Sequence, residues 1–166
     1  IHVACQNGRH ACLELLADNG ADLNQATATK QTAAYVAAQD GHDKCLKLLI
    51  SHGADMSKAD KRSWAPIHRA CQWGRYACIE VLADAGADLN LATADELGTT
   101  PAMFCCINGH VNCLALMGDR GADLSRTSNM GQNTAHVASQ NGQLKCLQLL
   151  GKRGVDLSKK DVYGNT

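Results

Sequence analysis

The stretch Trp64-Ala65-Pro66-Ile67-His68-Arg69-Ala70-Cys71-Gln72-Trp73-Gly74, running on to Gly86-Ala87-Asp88-Leu89-Asn90, decides the fold. Pro66 suits the first turn of a helix, where a missing N–H costs nothing. Ile67, Ala70 and Cys71 then fall at i, i+3, i+4 and form a narrow apolar stripe. Gly74 is a natural stop, because the residue after a helix often takes a left-handed conformation. A second periodic segment, Tyr76 to Ala85, carries Cys78, Ile79 and Leu82 on one face and stops at Gly86. The unit is a short helix, a tight turn, a second helix and a loop.

A helix of about eight residues is marginal alone in water. Such a unit must stack on copies of itself, and the copies are present. The glycine between the helices recurs as Gly8, Gly41, Gly74, Gly109 and Gly142, and the one after the second helix as Gly20, Gly53, Gly86, Gly121 and Gly154. Both series step by 33, 33, 35 and 33 residues. A fixed period of this kind is the signature of a solenoid.

At these positions the sequence resembles the ankyrin-repeat family. The family's Thr-Pro-Leu-His opening appears as Ala65-Pro66-Ile67-His68, and more loosely as Thr100-Pro101-Ala102-Met103 and Asn133-Thr134-Ala135-His136. Its Gly-His appears as Gly41-His42 and Gly109-His110. Its Gly-Ala-Asp-hydrophobic-Asn ending is intact at Gly20 to Asn24 and Gly86 to Asn90, whereas the other copies end in Ser57, Ser125 and Ser158. The resemblance implies an all-α fold, an ankyrin-repeat α-solenoid of helix-turn-helix repeats joined by β-hairpin loops. It covers essentially all of 1–166 as one array. The repeats fall near 1–25, 26–58, 59–91, 92–126 and 127–159, with the start of a sixth at 160–166. Neither end shows a polar capping repeat, so the chain is expected to be an excerpt of a longer protein.

Bulk properties exclude several classes. Lys plus Arg equals Asp plus Glu at 16 each, which gives no electrostatic footprint for nucleic acid or a membrane surface. Phe occurs once, so packing must rest on Ala, Leu and Cys. Leu97 to Gly118 lacks Asp, Glu, Lys and Arg and approaches a membrane span in length. However, it holds Pro101, asparagines and glycines, and the repeat register divides it into a hairpin and two helices.

Individual repeats depart from the pattern. The second opens on Thr32-Ala33-Ala34-Tyr35 in place of proline and histidine, so its first helix is expected to start less firmly. The fourth carries two extra residues within Leu91 to Leu97, which should push its loop outward, and insertions in repeat arrays map to loops on one face, often the binding face.

Nine cysteines raise the question of metal or disulfide chemistry. Cys12, Cys45, Cys78, Cys113 and Cys146 occupy one place in successive second helices. Packed helices lie about 8–10 Å apart, beyond the roughly 7 Å Cα limit of a disulfide. The column reads as small buried hydrophobes. Cys5, Cys71 and Cys106 fill a second such column, with Ala38 and Ser139. No Cys-x-x-Cys occurs, and no cofactor or metal is expected. Unpaired thiols in this number point to a reducing compartment, the cytoplasm or alternatively the nucleus. His2, His68 and His136 share the helix-opening position, and the family resemblance implies that this imidazole bonds backbone in the neighbouring hairpin. No phosphate loop, paired-carboxylate motif or Gly-x-Ser-x-Gly is present, so no enzyme is expected and no residue is assigned a catalytic role.

Binding is expected on the second face of each first helix, which in the family lines a concave strip. In the third repeat this face is Arg69, Gln72 and Trp73, and in the fourth Phe104, Ile107 and Asn108. The other copies show Gln in the middle and Asn or Asp at the end. Trp73 and Ile107 break that rule and should be neighbours. With Trp64 and Leu97 they suggest an apolar cluster with a polar rim of Lys61, Arg62 and Glu96, the pattern of an interaction hot spot. The competing reading is that Trp64 and Trp73 pack on each other or on Arg69. The resemblance also implies Asn24 and Asn90 as candidates for hydroxylation, against a structural role in holding the turn. The expected function is a non-catalytic scaffold or adaptor that binds an unidentified protein or peptide and is monomeric as an isolated array. The alternative is an intramolecular regulatory or spacer array inside a larger enzyme or channel.

Overall fold

The computed structural model describes residues 1–166 and contains ten α-helices and no strand. It divides into two compact units, Ile1–Asp88 and Leu89–Thr166. The first holds α1 (His2–Gln6), α2 (His10–Asp18), α3 (Ala33–Asp40), α4 (Asp43–Ser51), α5 (Pro66–Gln72) and α6 (Tyr76–Asp84). Here α1, α3 and α5 pack in one row, α2, α4 and α6 in another, and each short pair also packs internally. The second holds α7 (Pro101–Ile107), α8 (Val111–Asp119), α9 (Thr134–Gln140) and α10 (Leu144–Lys152), with α7 on α9 and α8 on α10. No helix is long and apolar enough to cross a membrane.

Small residues make this stacking possible. Ala37, Ala38, Ala70 and Cys71 are fully buried on the first helices of the first unit. The larger Leu46, Leu49, Ile79 and Leu82 fill the space from the second helices. In the second unit Cys105 and Cys106 face the same task, with Leu114, Met117 and Leu150 supplying bulk. Each buried Leu or Ile contributes about 1.5–3 kcal/mol, which is what short helices lack on their own.

The first helices start on defined caps. Thr32 and Thr100 accept from the backbone N–H of Tyr35 (3.3 Å) and Met103 (3.4 Å), and Asn133 accepts from Ala135 and His136. The second repeat does not start less firmly than its neighbours. Tyr35 takes the histidine position, is fully buried, and its hydroxyl donates to Asp60 Oδ2 of the next hairpin turn at 2.9 Å. Where histidine is present, its Nδ1 accepts from the cap N–H, as at His68 with Ala65 and His136 with Asn133. That leaves the ring proton on Nε2, and His136 donates it to the carbonyl of Asn165 in the next turn, as His2 does to Gln31.

The turn between the helices is tied to the following repeat. Gly41 ends α3 in the left-handed conformation, with φ +89°. Arg75 lies across it and donates from Nε to the carbonyl of Gln39 at 3.0 Å, so a Cβ on Gly41 would sit 3.0 Å from Arg75 Cδ. His42 makes the same bond to Gln6 over Gly8, and Gln143 to Ile107 over Gly109. The carbonyls at a helix C-terminus lack internal partners. Here the next repeat supplies one.

The hairpin loops are tight turns without a strand ladder. Each is closed by a backbone bond from Thr27 to Gln31, Asp60 to Trp64, Thr93 to Thr99, Ser128 to Gln132 or Asp161 to Asn165. In all but the fourth repeat's turn a second bond returns to the first residue, as from Lys30 to Thr27. Neighbouring turns are joined within each unit, as Lys61 N–H to Thr29 and Val162 N–H to Met130. Asn24 and Asn90 accept the N–H of Asp55 and Asp123 in the next repeat, each at 2.8 Å. Ser57 and Ser125 stand in that place and bond back to their own Asp55 and Asp123.

The residue before each turn closes is left-handed. Gly98, Gly131 and Gly164 fill it in three turns, but Lys30 (φ +63°) and Ser63 (φ +60°) fill the others. An L-residue there costs about 1–2 kcal/mol, partly offset by the stiffer unfolded chain. Lys30→Gly is therefore expected to raise stability by up to about 1 kcal/mol in urea unfolding. Gly131→Ala should lower it by at least about 1 kcal/mol, because its Cβ also meets Val162 at 3.2 Å. Equal midpoints for both variants would disprove this account of the turns.

Candidate binding surface

In the first unit the third hairpin and α5 converge on Arg69. Its guanidinium lies 4.4 Å from the Trp64 ring centre and 5.0 Å from that of Tyr35, so both aromatic faces meet the cation. Its Nε donates to the Tyr35 hydroxyl, Nη1 donates to Gln72 Oε1 at 2.6 Å, and Nη2 lies 3.8 Å from Asp60 Oδ2. Asp60 is buried and also accepts the N–H of Arg62 (2.8 Å) and Trp64 (3.0 Å). Burial, followed by the bond to Asp60, pushes the Tyr35 phenol above its ordinary range. The cluster is a brace that fixes the turn on two successive first helices.

This geometry separates the two tryptophans. Trp64 packs on Arg69. Trp73, which ends α5, is 52% exposed. Lys61 and Arg62 are exposed on the turn. Gln39 donates to Asp40 at 3.4 Å, so this glutamine and Gln72 each bond a side chain of their own helix.

In the second unit Leu97, Thr99, Met103, Ile107, Ser128, Gln132, Val137, Gln140 and Asn141 line a groove of about 300 Å³. Its floor comes from α7 and α9 and its walls from two hairpin turns. The two extra residues of the fourth turn put Leu97 at the wall, 56% exposed, with Glu96 exposed beside it. Asp95 Oδ1 holds this longer turn by accepting from Thr93, Leu97 and Gly98. Ile107 is half-buried at the groove.

Two residues expected at the surface have other roles. Phe104 is 5% exposed, within a run from Pro101 to Cys106 in which every residue is buried. Asn108 caps its own helix, Nδ2 donating to Phe104 O at 3.1 Å, as Asn7 and Asn141 do to Val3 and Val137. Sequence reasoning also missed Met103 and Gln132. The helix-opening column in which Met103 replaces histidine was the available signal.

The thiols depart from the expected uniform column at one point. Eight are buried, but Cys12 on α2 is exposed. Burial pushes the Cys5, Cys78 and Cys113 thiols up to about 12. A hydrogen bond to Cys146, with burial, also raises Cys106. Cys5 and Cys45 form a like pair, and both pairs join a first helix to the second helix of the next repeat, a diagonal that the reading by column did not foresee. No group of three or more His, Cys, Asp or Glu side chains comes together as a metal site.

The family model for ankyrin repeats (3 copies) matches residues 1–93 and 90–161. No curated protein matches the chain.

Removing Arg69 leaves Asp60 buried beside two aromatic rings. Arg69→Ala is expected to cost about 2–4 kcal/mol in chemical unfolding. Trp73→Ala should stay within about 0.5 kcal/mol of the parent. A large loss from Trp73→Ala would show that it packs rather than presents. With a maleimide at neutral pH, one thiol, Cys12, should react at once and eight only on unfolding. Fast labelling of Cys106 or Cys146 would contradict the packing described.

Proposed function

Because the chain belongs to the ankyrin-repeat family, whose repeats are generally protein–protein interaction modules, we propose that it is a non-catalytic binding module. It takes a protein or peptide on the face built by the first helices and the hairpin turns. The observation that carries this reading is the groove against Leu97 and Ile107, where an apolar floor and neutral polar walls lie open. Trp73, exposed at the end of α5, supports the same face in the first unit. Aromatic and aliphatic anchors with a polar rim are what hot spots consist of.

The packing favours this division of labour. Core positions take the small and aliphatic side chains, and the brace at Arg69 fixes the third turn. The exposed residues on the first helices are left to vary without cost to the fold. The second helices carry a groove of about 280 Å³ of their own, lined by Lys47, Ile50, Ser51, Val81, Asp84 and Ala85, which has no part in the proposal.

The test is a pull-down from a reducing lysate with the parent chain and a Trp73→Ala, Ile107→Gln variant. Gln is the residue that other repeats place at position 107, so folding should be preserved, and thermal melts of both proteins check that. A protein captured by the parent and lost by an equally stable variant supports the face. Unchanged capture would place binding elsewhere and overturn it.

A further inference from the structure

The groove of the second unit has a chemistry more specific than that of a generic apolar cleft. None of its nine lining residues is charged. Its floor is Met103, Ile107 and Val137, room enough in about 300 Å³ for one aliphatic side chain and the backbone on either side of it. Its walls are amides and hydroxyls. Gln140 is exposed and its carboxamide makes no bond within the chain, so it offers one acceptor and two donors at the rim. That is the complement of a peptide unit, not of an ionic headgroup.

The turns bordering the groove add a sign. Residues 93–99, 128–132 and 161–165 contain Asp95, Glu96 and Asp161 and no Lys, Arg or His. Asp161 is taken up by Asn165, Tyr163 and Gln132, and Asp95 by its own turn. Glu96 has no such partner and stands exposed beside Leu97, at the mouth of the groove. Arg126, Lys159 and Lys160 of this unit fall outside these turns in the sequence.

From this placement we infer that the second-unit groove binds an extended peptide segment that inserts one aliphatic side chain over Ile107 and sets a lysine or arginine against Glu96. The inference rests on the proposed binding function and deepens it. The aliphatic anchor supplies affinity by leaving water for the Met103, Ile107 and Val137 floor. Gln140 bonds the peptide backbone, which holds the segment extended. Glu96 supplies selection. An exposed pair of this kind is worth a few-fold in affinity and weakens with salt.

The test uses immobilised ten-residue peptides, each with one leucine among serines and with lysine, serine or glutamate placed on either side of it. The parent chain is expected to prefer the leucine–lysine peptides over leucine–glutamate by about two- to fivefold at low salt, the gap closing at high salt. Glu96→Lys should reverse that order without lowering overall retention. Ile107→Gln should abolish retention of all three sets, and neither variant should move the melting temperature. Equal retention of lysine and glutamate peptides by the parent, or no retention of any, would overturn the inference. In that event a lysate protein still lost by Ile107→Gln would keep the broader binding function standing. No capture by either route would remove both.

Discussion

The structure depends on a bond made from one repeat to the end of the helix before it. The first helix of each repeat is too short to stand alone and finishes with carbonyls that nothing inside it satisfies. His42, Arg75 and Gln143 reach back and donate to the carbonyls of Gln6, Gln39 and Ile107. Those side chains run over Gly8, Gly41 and Gly109, where a Cβ would obstruct them. The interhelical glycine thus answers two demands at once, a left-handed turn and clearance for the next repeat. A second layer of ties runs through the hairpins, from His2 and His136 to the following turn and from Asn24 and Asn90 to the following Asp.

These ties explain which side chains are available for function. A residue committed to a neighbour cannot also read a partner without breaking the array. Asn108 and Arg69, both attractive on the helix face, are occupied in this sense. Asn24 and Asn90 are occupied through Oδ1, so the structure supports the turn-holding role. What remains free is Trp73 on α5 and, in the second unit, the groove between Leu97 and Ile107 with Glu96 at its edge. The two-residue lengthening of the fourth turn is what raises Leu97 and Glu96 beside that groove.

Much of this was legible in the sequence because periodicity reports directly on packing. The glycine columns located the ten helices, and Pro66 and Pro101 marked two starts. Tyr35 was harder, because a residue that breaks a motif reads as a weak point. Its hydroxyl in fact takes over the bridging role of the histidine. Phe104 was misplaced for a geometric reason: helical spacing assigns a face but not the depth at which the neighbouring turns bury it. Cys12 was misread because a shared repeat position does not fix how deeply each copy is buried. The diagonal thiol pairs lay beyond reach, since they depend on how far one helix layer is offset against the other.

Site-specific photocrosslinking tests the central claim most directly. A photoreactive amino acid placed at position 107, on the proposed face, is compared with one at Lys47 on the outer helix row, in a reducing extract. Both proteins should melt like the parent. The expected result is a discrete adduct from position 107 and none from position 47. An adduct from position 47 alone would show that the second helices, and not the groove beside the hairpin turns, meet the partner.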